Sequence, residues 1–153
     1  MKQFIVVMAL IVLAGCAGSL IRFDQYSLAM DQAVEADSSV YLGSDENFQG
    51  VLWLSPILKQ EKTAVKTVKI IQNYGKYFVC AENFKNIYMI EPNSDGTTGT
   101  YRTIDVTPND TTDVFTGISF ARYGSKENTC VKFRYDGKEI FISREGEINE
   151  QCN

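Results

Sequence analysis

Four cysteines and no histidine bound the chemistry open to this 153-residue chain. Without imidazole, no Ser-His or Cys-His nucleophile pair can form, and zinc or iron loses its commonest nitrogen ligand. Cys16, Cys80, Cys130 and Cys152 are too widely spaced for a Cys-x-x-Cys metal site. Nineteen acidic residues leave hydrolysis by a carboxylate pair open in principle, but they are scattered and single out no pair. The oxygen-rich run Asp105, Asn109, Asp110, Asp113 matches no calcium-loop spacing and reads as a turn. The expectation is a chain without catalysis, metal or cofactor, whose chemistry lies in its cysteines and its binding surfaces.

The elements that position these residues begin with a leader. Lys2 precedes the apolar run Phe4-Ile5-Val6-Val7-Met8-Ala9-Leu10-Ile11-Val12, which closes on Leu13-Ala14-Gly15-Cys16. A basic start, a core of about ten apolar residues and a small-residue end describe a secretory signal rather than a membrane span. A cysteine directly after Leu-Ala-Gly resembles the lipobox of bacterial lipoproteins. That resemblance implies a signal peptide over 1–15, acylation and a membrane anchor at Cys16, and a lipidated tether over 16–26. Ala17 stands where an aspartate would signal inner-membrane retention, so the expected location is the cell envelope, at the outer membrane facing the periplasm.

Removing the leader leaves about 138 residues, enough for one cored domain over 27–153. It also leaves 14 basic and 19 acidic residues, a net charge of −5. No basic run appears, which argues against nucleic acid. An acidic body would instead steer a basic protein toward itself.

Ser27 precedes Leu28-Ala29-Met30-Asp31-Gln32-Ala33-Val34-Glu35-Ala36, and apolar residues at 30, 33 and 34 predict one short N-terminal helix capped by Ser27. Strands are expected over Val51–Leu54, ended by Pro56, and over Ala64–Ile71, Lys76–Ala81, Asn86–Glu91, Thr100–Thr107, Val114–Tyr123, Thr129–Tyr135 and Lys138–Ser143. Turn clusters such as Pro92-Asn93-Ser94-Asp95-Gly96 and Pro108-Asn109-Asp110 separate them. Strands about ten residues apart, without helices between them, predict an all-β fold, a small antiparallel barrel or sandwich. Trp53, between Leu52 and Leu54, is expected to pack inside it.

The sharpest local expectation is a hairpin at Asp136-Gly137, a pair suited to a type I′ turn because both central residues need positive φ. Its register pairs Tyr135 with Lys138, Arg134 with Glu139, Phe133 with Ile140 and Val131 with Ile142. Val131, Phe133, Ile140 and Ile142 then form the buried face. Cys130, Lys132, Arg134, Glu139, Phe141 and Ser143 form the mostly wet one. An exported protein meets oxidising conditions, so the three remaining cysteines predict one disulfide and one leftover thiol. The tail turns at Glu145-Gly146-Glu147 and could return Cys152 to Cys130, or Cys152 could clasp Cys80.

Residues 77–152 resemble the membrane-bound inhibitors of C-type lysozyme. The matching features are the cysteine strand Tyr77-Phe78-Val79-Cys80, a Ser119-Phe120-Ala121-Arg122-Tyr123 segment, an Asp136-Gly137-Lys138-Glu139 turn and the closing Cys152. Phe120 replaces a family glycine, Asp136 replaces a lysine, and Cys130 is an addition. The resemblance implies a β-barrel, a Cys80–Cys152 bridge and inhibition by occlusion. Ser119 would face a catalytic carboxylate of the lysozyme, Lys138 would supply a cation, and Arg122 and Tyr123 would shape the loop. Two functions are therefore expected: an anchored inhibitor of lysozyme, or a structural lipoprotein docking onto an envelope complex through its β surface.

Overall fold

The computed structural model describes residues 30–44, 47–93, 99–106, 114–125 and 128–152. The leader, Cys16, the tether and Ser27 lie outside them, as do Asn109, Asp110 and Asp113. Eleven strands and one short helix occur among the described residues, which makes the fold all-β. In chain order they are β1 (Met30–Ala33), β2 (Ser39–Ser44), β3 (Asn47–Trp53), α1 (Ser55–Glu61), β4 (Thr67–Asn73), β5 (Lys76–Cys80), β6 (Asn86–Pro92), β7 (Gly99–Asp105), β8 (Ser119–Gly124), β9 (Thr129–Tyr135), β10 (Lys138–Ile142) and β11 (Ile148–Asn149). Five strands form a sheet in the order β1-β4-β5-β6-β7, four form β11-β10-β9-β8, and β2 and β3 form a separate ribbon. Every described pairing is antiparallel. The separate antiparallel sheets are consistent with the sandwich.

The central strands β4, β5 and β6 of the five-stranded sheet are covered on both faces. Ile70–Asn73, Tyr77–Cys80 and Ile87–Ile90 are runs of four consecutive buried residues, and successive side chains on a strand point to opposite sides. Pairing puts Ile71, Phe78 and Met89 on one face, and Ile70, Val79 and Tyr88 on the other. Helix α1 covers the Tyr88 face, where Glu61 meets Tyr88 and Gln60 meets Thr103. The four-stranded sheet covers the other face: the turn at Gly146 rests on the side chains of Arg102 and Ile104. Val131, Phe133 and Ile142 point inward from it and are fully buried. Phe133 sits against Phe120 and Phe115 at ring separations of 5.0 and 5.3 Å.

The hairpin at Asp136-Gly137 has the predicted register throughout, with φ of 49° and 75° at its two central residues. The expected N-terminal helix is corrected. Met30–Ala33 is a strand that pairs with β4; without it, the edge of a buried strand would expose unpaired N–H and C=O groups. Pro56 does end the Val51–Leu54 strand, but it also starts α1 from the first helical turn, where a missing N–H costs nothing. The strand expected from Ala64 starts at Thr67, and the one expected from Val114 starts at Ser119.

Candidate interaction surface

The outer face of the four-stranded sheet carries a compact arrangement of rings and charges. Strand alternation and pairing align Ser119, Arg134 and Glu139 in one row across β8, β9 and β10, and Ala121, Lys132 and Phe141 in the next. Tyr123 follows on the same side of β8 and is 51% exposed. Its ring lies 5.1 Å from that of Phe141. The Lys132 ammonium stands 4.7 Å from the Tyr123 ring and 5.6 Å from the Phe141 ring, a geometry in which the ring quadrupoles attract the cation. Lys132 also meets Glu139 at 3.2 Å, and Glu139 accepts a hydrogen bond from Arg134 Nε at 2.7 Å. Arg134, and after it Lys132, hold the Glu139 carboxyl below the usual carboxylate value. The result is an adjoining pair of rings capped by an ion-paired ammonium, with Tyr123 and Arg134 left exposed to a partner.

The disulfide closes one corner of this face. Cys130 pairs with Cys152 across a Cα separation of 5.8 Å, so the expected Cys80–Cys152 bridge is corrected. Cys80 is a free thiol with no solvent exposure, and its position in β5 beneath both covering layers puts it out of reach of the tail. The bridge lies against the end of β8. A Cβ on Gly124, whose φ is 103°, would run into the Asn128 carbonyl oxygen and come within 3.0 Å of Cys152 Sγ, so only glycine lets the tail seat there.

Of the four expected contact residues, Ser119 and Tyr123 lie exposed on this face. Arg122 alternates to the other side, where its guanidinium donates to the Gln72 carbonyl oxygen at 3.2 Å and fastens β8 to β4. Lys138 pairs with Tyr135 on that inner side of the sheet, its ammonium 5.7 Å from the Tyr135 ring. Residues 119–123 lie within the edge strand β8 rather than in a protruding loop, and Ser119 and Lys138 project from opposite sides of the sheet.

Two features escaped the sequence reading. Trp53, expected inside, is 60% exposed, and it shares the outer face of the β2–β3 ribbon with Tyr41 at 52% and Val51 at 37%. Val40, Leu42 and Leu54 point inward and are buried. Alternation around Val40-Tyr41-Leu42 was the available signal. The second feature is buried. Glu61 accepts hydrogen bonds from the Lys85 backbone N–H at 2.8 Å, Asn86 Nδ2 at 2.9 Å and the Tyr88 hydroxyl at 2.6 Å. Burial, then the Glu61 carboxylate, push the Tyr88 phenol well above its ordinary value. A buried acceptor with its donors supplied clamps α1 onto β6.

A shallow cleft of about 220 Å³ opens beside Lys76, Glu91, Thr100, Arg102 and Glu145, with Lys76 paired to Glu91 at 3.4 Å. It is smaller than a typical small-molecule site of about 300–1,000 Å³. Among the described residues, no group of three or more acidic or cysteine side chains is placed to hold a metal ion, and no helix is long and apolar enough to cross a membrane. Comparison with family models, curated proteins and solved structures finds no match.

Proposed function

We propose that this chain is a lipid-anchored envelope protein, acylated at Cys16, that docks a partner protein through the outer face of its four-stranded sheet. The observation that carries this reading is the exposed Tyr123 ring, set against Phe141 and capped by the Lys132 ammonium. Tryptophan, tyrosine and arginine dominate the binding energy of many interfaces, and on this face Tyr123 and Arg134 are exposed and held in place before binding by Phe141 and Glu139, which lowers the entropy lost on association. The leader Lys2–Gly15 and Cys16 support the anchor, and the net charge of −4 favours a basic partner by steering. Occlusion of a lysozyme cleft receives less support, because Ser119 and Lys138 face opposite ways and Cys80 is unbridged.

Photo-crosslinking in living envelopes tests the docking reading. A photoreactive residue in place of Ala121 should yield a discrete adduct, one placed at Glu35 should not, and Tyr123→Ala should reduce the adduct at position 121. By the usual cost of truncating an interface anchor, the loss is about 1–2 kcal/mol, roughly tenfold in affinity. The absence of any adduct at position 121 would remove the docking face. Retention of the purified protein on immobilised C-type lysozyme at low salt, lost in Ser119→Ala, would restore the inhibitor reading in its place.

A further inference from the structure

The β2–β3 ribbon presents three apolar side chains to solvent on one face: Tyr41, Val51 and Trp53. A folded domain of this size normally covers such a cluster or uses it. The charge of the neighbouring chain narrows what could cover it. Within residues 47–81, five lysines (Lys59, Lys62, Lys66, Lys69 and Lys76) stand against a single acid, Glu61, which is buried, in a chain whose net charge is −4. Lys69 pairs with Asp31 and Lys76 with Glu91. Lys59, Lys62 and Lys66 are exposed and make no ion pair among the described residues. Two of them, Lys59 and Lys62, belong to α1 and its C-terminal cap, and α1 starts two residues after Trp53.

Tryptophan and tyrosine settle where hydrocarbon meets headgroup, since each ring has an apolar body and a polar tip. Lysines beside them are attracted to anionic headgroups, by about 1 kcal/mol each near a charged surface. The chain outside the structure fits the same occupant. Thirteen residues lie between Cys16 and Met30, a reach of at most about 50 Å over the fourteen steps, and the ribbon starts nine residues beyond Met30. An acylated Cys16 therefore keeps the ribbon within range of the bilayer that holds the lipid.

We infer that the Tyr41–Val51–Trp53 face is a membrane-resting foot. It inserts its rings at the interface of the bilayer into which Cys16 is anchored, and Lys59, Lys62 and Lys66 contact anionic headgroups. This inference rests on the anchor in the proposed function. It would orient the domain, leaving the outer face of the four-stranded sheet to a soluble partner.

Trp53 is the chain's only tryptophan, so intrinsic fluorescence reports on this site alone. The full chain is purified from membranes, its acylation is read by mass spectrometry, and it is reconstituted into phosphatidylcholine vesicles with and without phosphatidylglycerol. Trp53 emission is expected to shift to the blue, to be quenched by nitroxide-labelled lipid and to become shielded from aqueous acrylamide, more so with phosphatidylglycerol. The pair Tyr41→Ser with Val51→Ser, with its fold checked by circular dichroism, should lose the shift while still floating with vesicles. A chain that is acylated and floats, yet keeps water-like, acrylamide-accessible emission, overturns the foot and leaves the anchor standing. A chain whose mass shows no acyl group overturns both. Shielding in native membranes but not in pure lipid vesicles assigns the ribbon to a protein partner and overturns the lipid assignment.

Discussion

Three donors converge on the Glu61 carboxylate while the Cys80 thiol lies in the same buried region, so the core contains groups whose ionisation the fold resists. Burial, then the charges of Glu61 and Glu82, push the Cys80 thiol well above its ordinary value of 9.0, against a weaker opposing backbone hydrogen bond at Ala81. Tyr88 and Tyr77 are also raised from 10.0, both by burial first. Each group holds its proton more tightly folded than unfolded, so as pH rises the unfolded chain releases protons first and gains stability relative to the native one. Stability should be level from pH 7 to about pH 9 and then fall by up to about 1.4 kcal/mol per pH unit for each group in play. Urea unfolding between pH 7 and 11 measures this, and Cys80→Ala should move the onset toward pH 10. At this scale the sequence was only half legible. The resemblance set Arg122 and Tyr123 together in one loop, whereas alternation along β8 turns Ser119 and Tyr123 to one face and Arg122 to the other, and which face meets water depends on distant strands. Trp53 shows the same limit: its apolar neighbours Leu52 and Leu54 suggested burial, and alternation instead turns it outward.

Local rules were most reliable where they were short-range and stringent. The Asp136-Gly137 turn demanded positive φ at two residues, and that demand fixed the register of β9 and β10 along their whole length. Gly137→Ala would place a Cβ at a φ of 75° and should destabilise the protein by about 1–2 kcal/mol. Gly137→Asn should cost less, because asparagine tolerates this conformation. A shift of the urea midpoint without a change in slope checks both. Boundaries set by tertiary pairing were not legible. Met30, Ala33 and Val34 suit a helix as well as a strand, and the open edge of β4 decides between them. Helix α1 has seven residues, too few for periodicity to reveal, although Pro56 followed by good helix formers was a usable sign.

Taken whole, the molecule is a sandwich in which strands β4, β5 and β6 are buried on both sides, and that layering is why these three show continuous buried runs instead of alternating ones. The all-β class was visible from strand and turn spacing; the separate ribbon and the double covering were not, since both follow from long-range packing. The Cys130–Cys152 bridge spans 22 residues and ties the last residues to the outer face of the four-stranded sheet. By the loop-entropy relation, reducing it should cost about 3 kcal/mol. Paired urea curves with and without reductant should show that loss, and Cys152→Ser should reproduce it without reductant. A bridge assigned instead to Cys80 would show up as a Cys80-containing crosslinked peptide after digestion under non-reducing conditions.

The sealed position of Cys80 makes the timing of sulfur chemistry matter. In the finished molecule no oxidant or rival thiol can reach it, so wrong pairings can arise only while the nascent chain is still open. Rapid closure of the central layer therefore acts as proofreading: once Phe78, Val79 and Cys80 are enclosed, Cys130 and Cys152 have, among the described cysteines, only each other to join. Variants that slow this enclosure should accumulate scrambled isomers even when their final stability is unchanged.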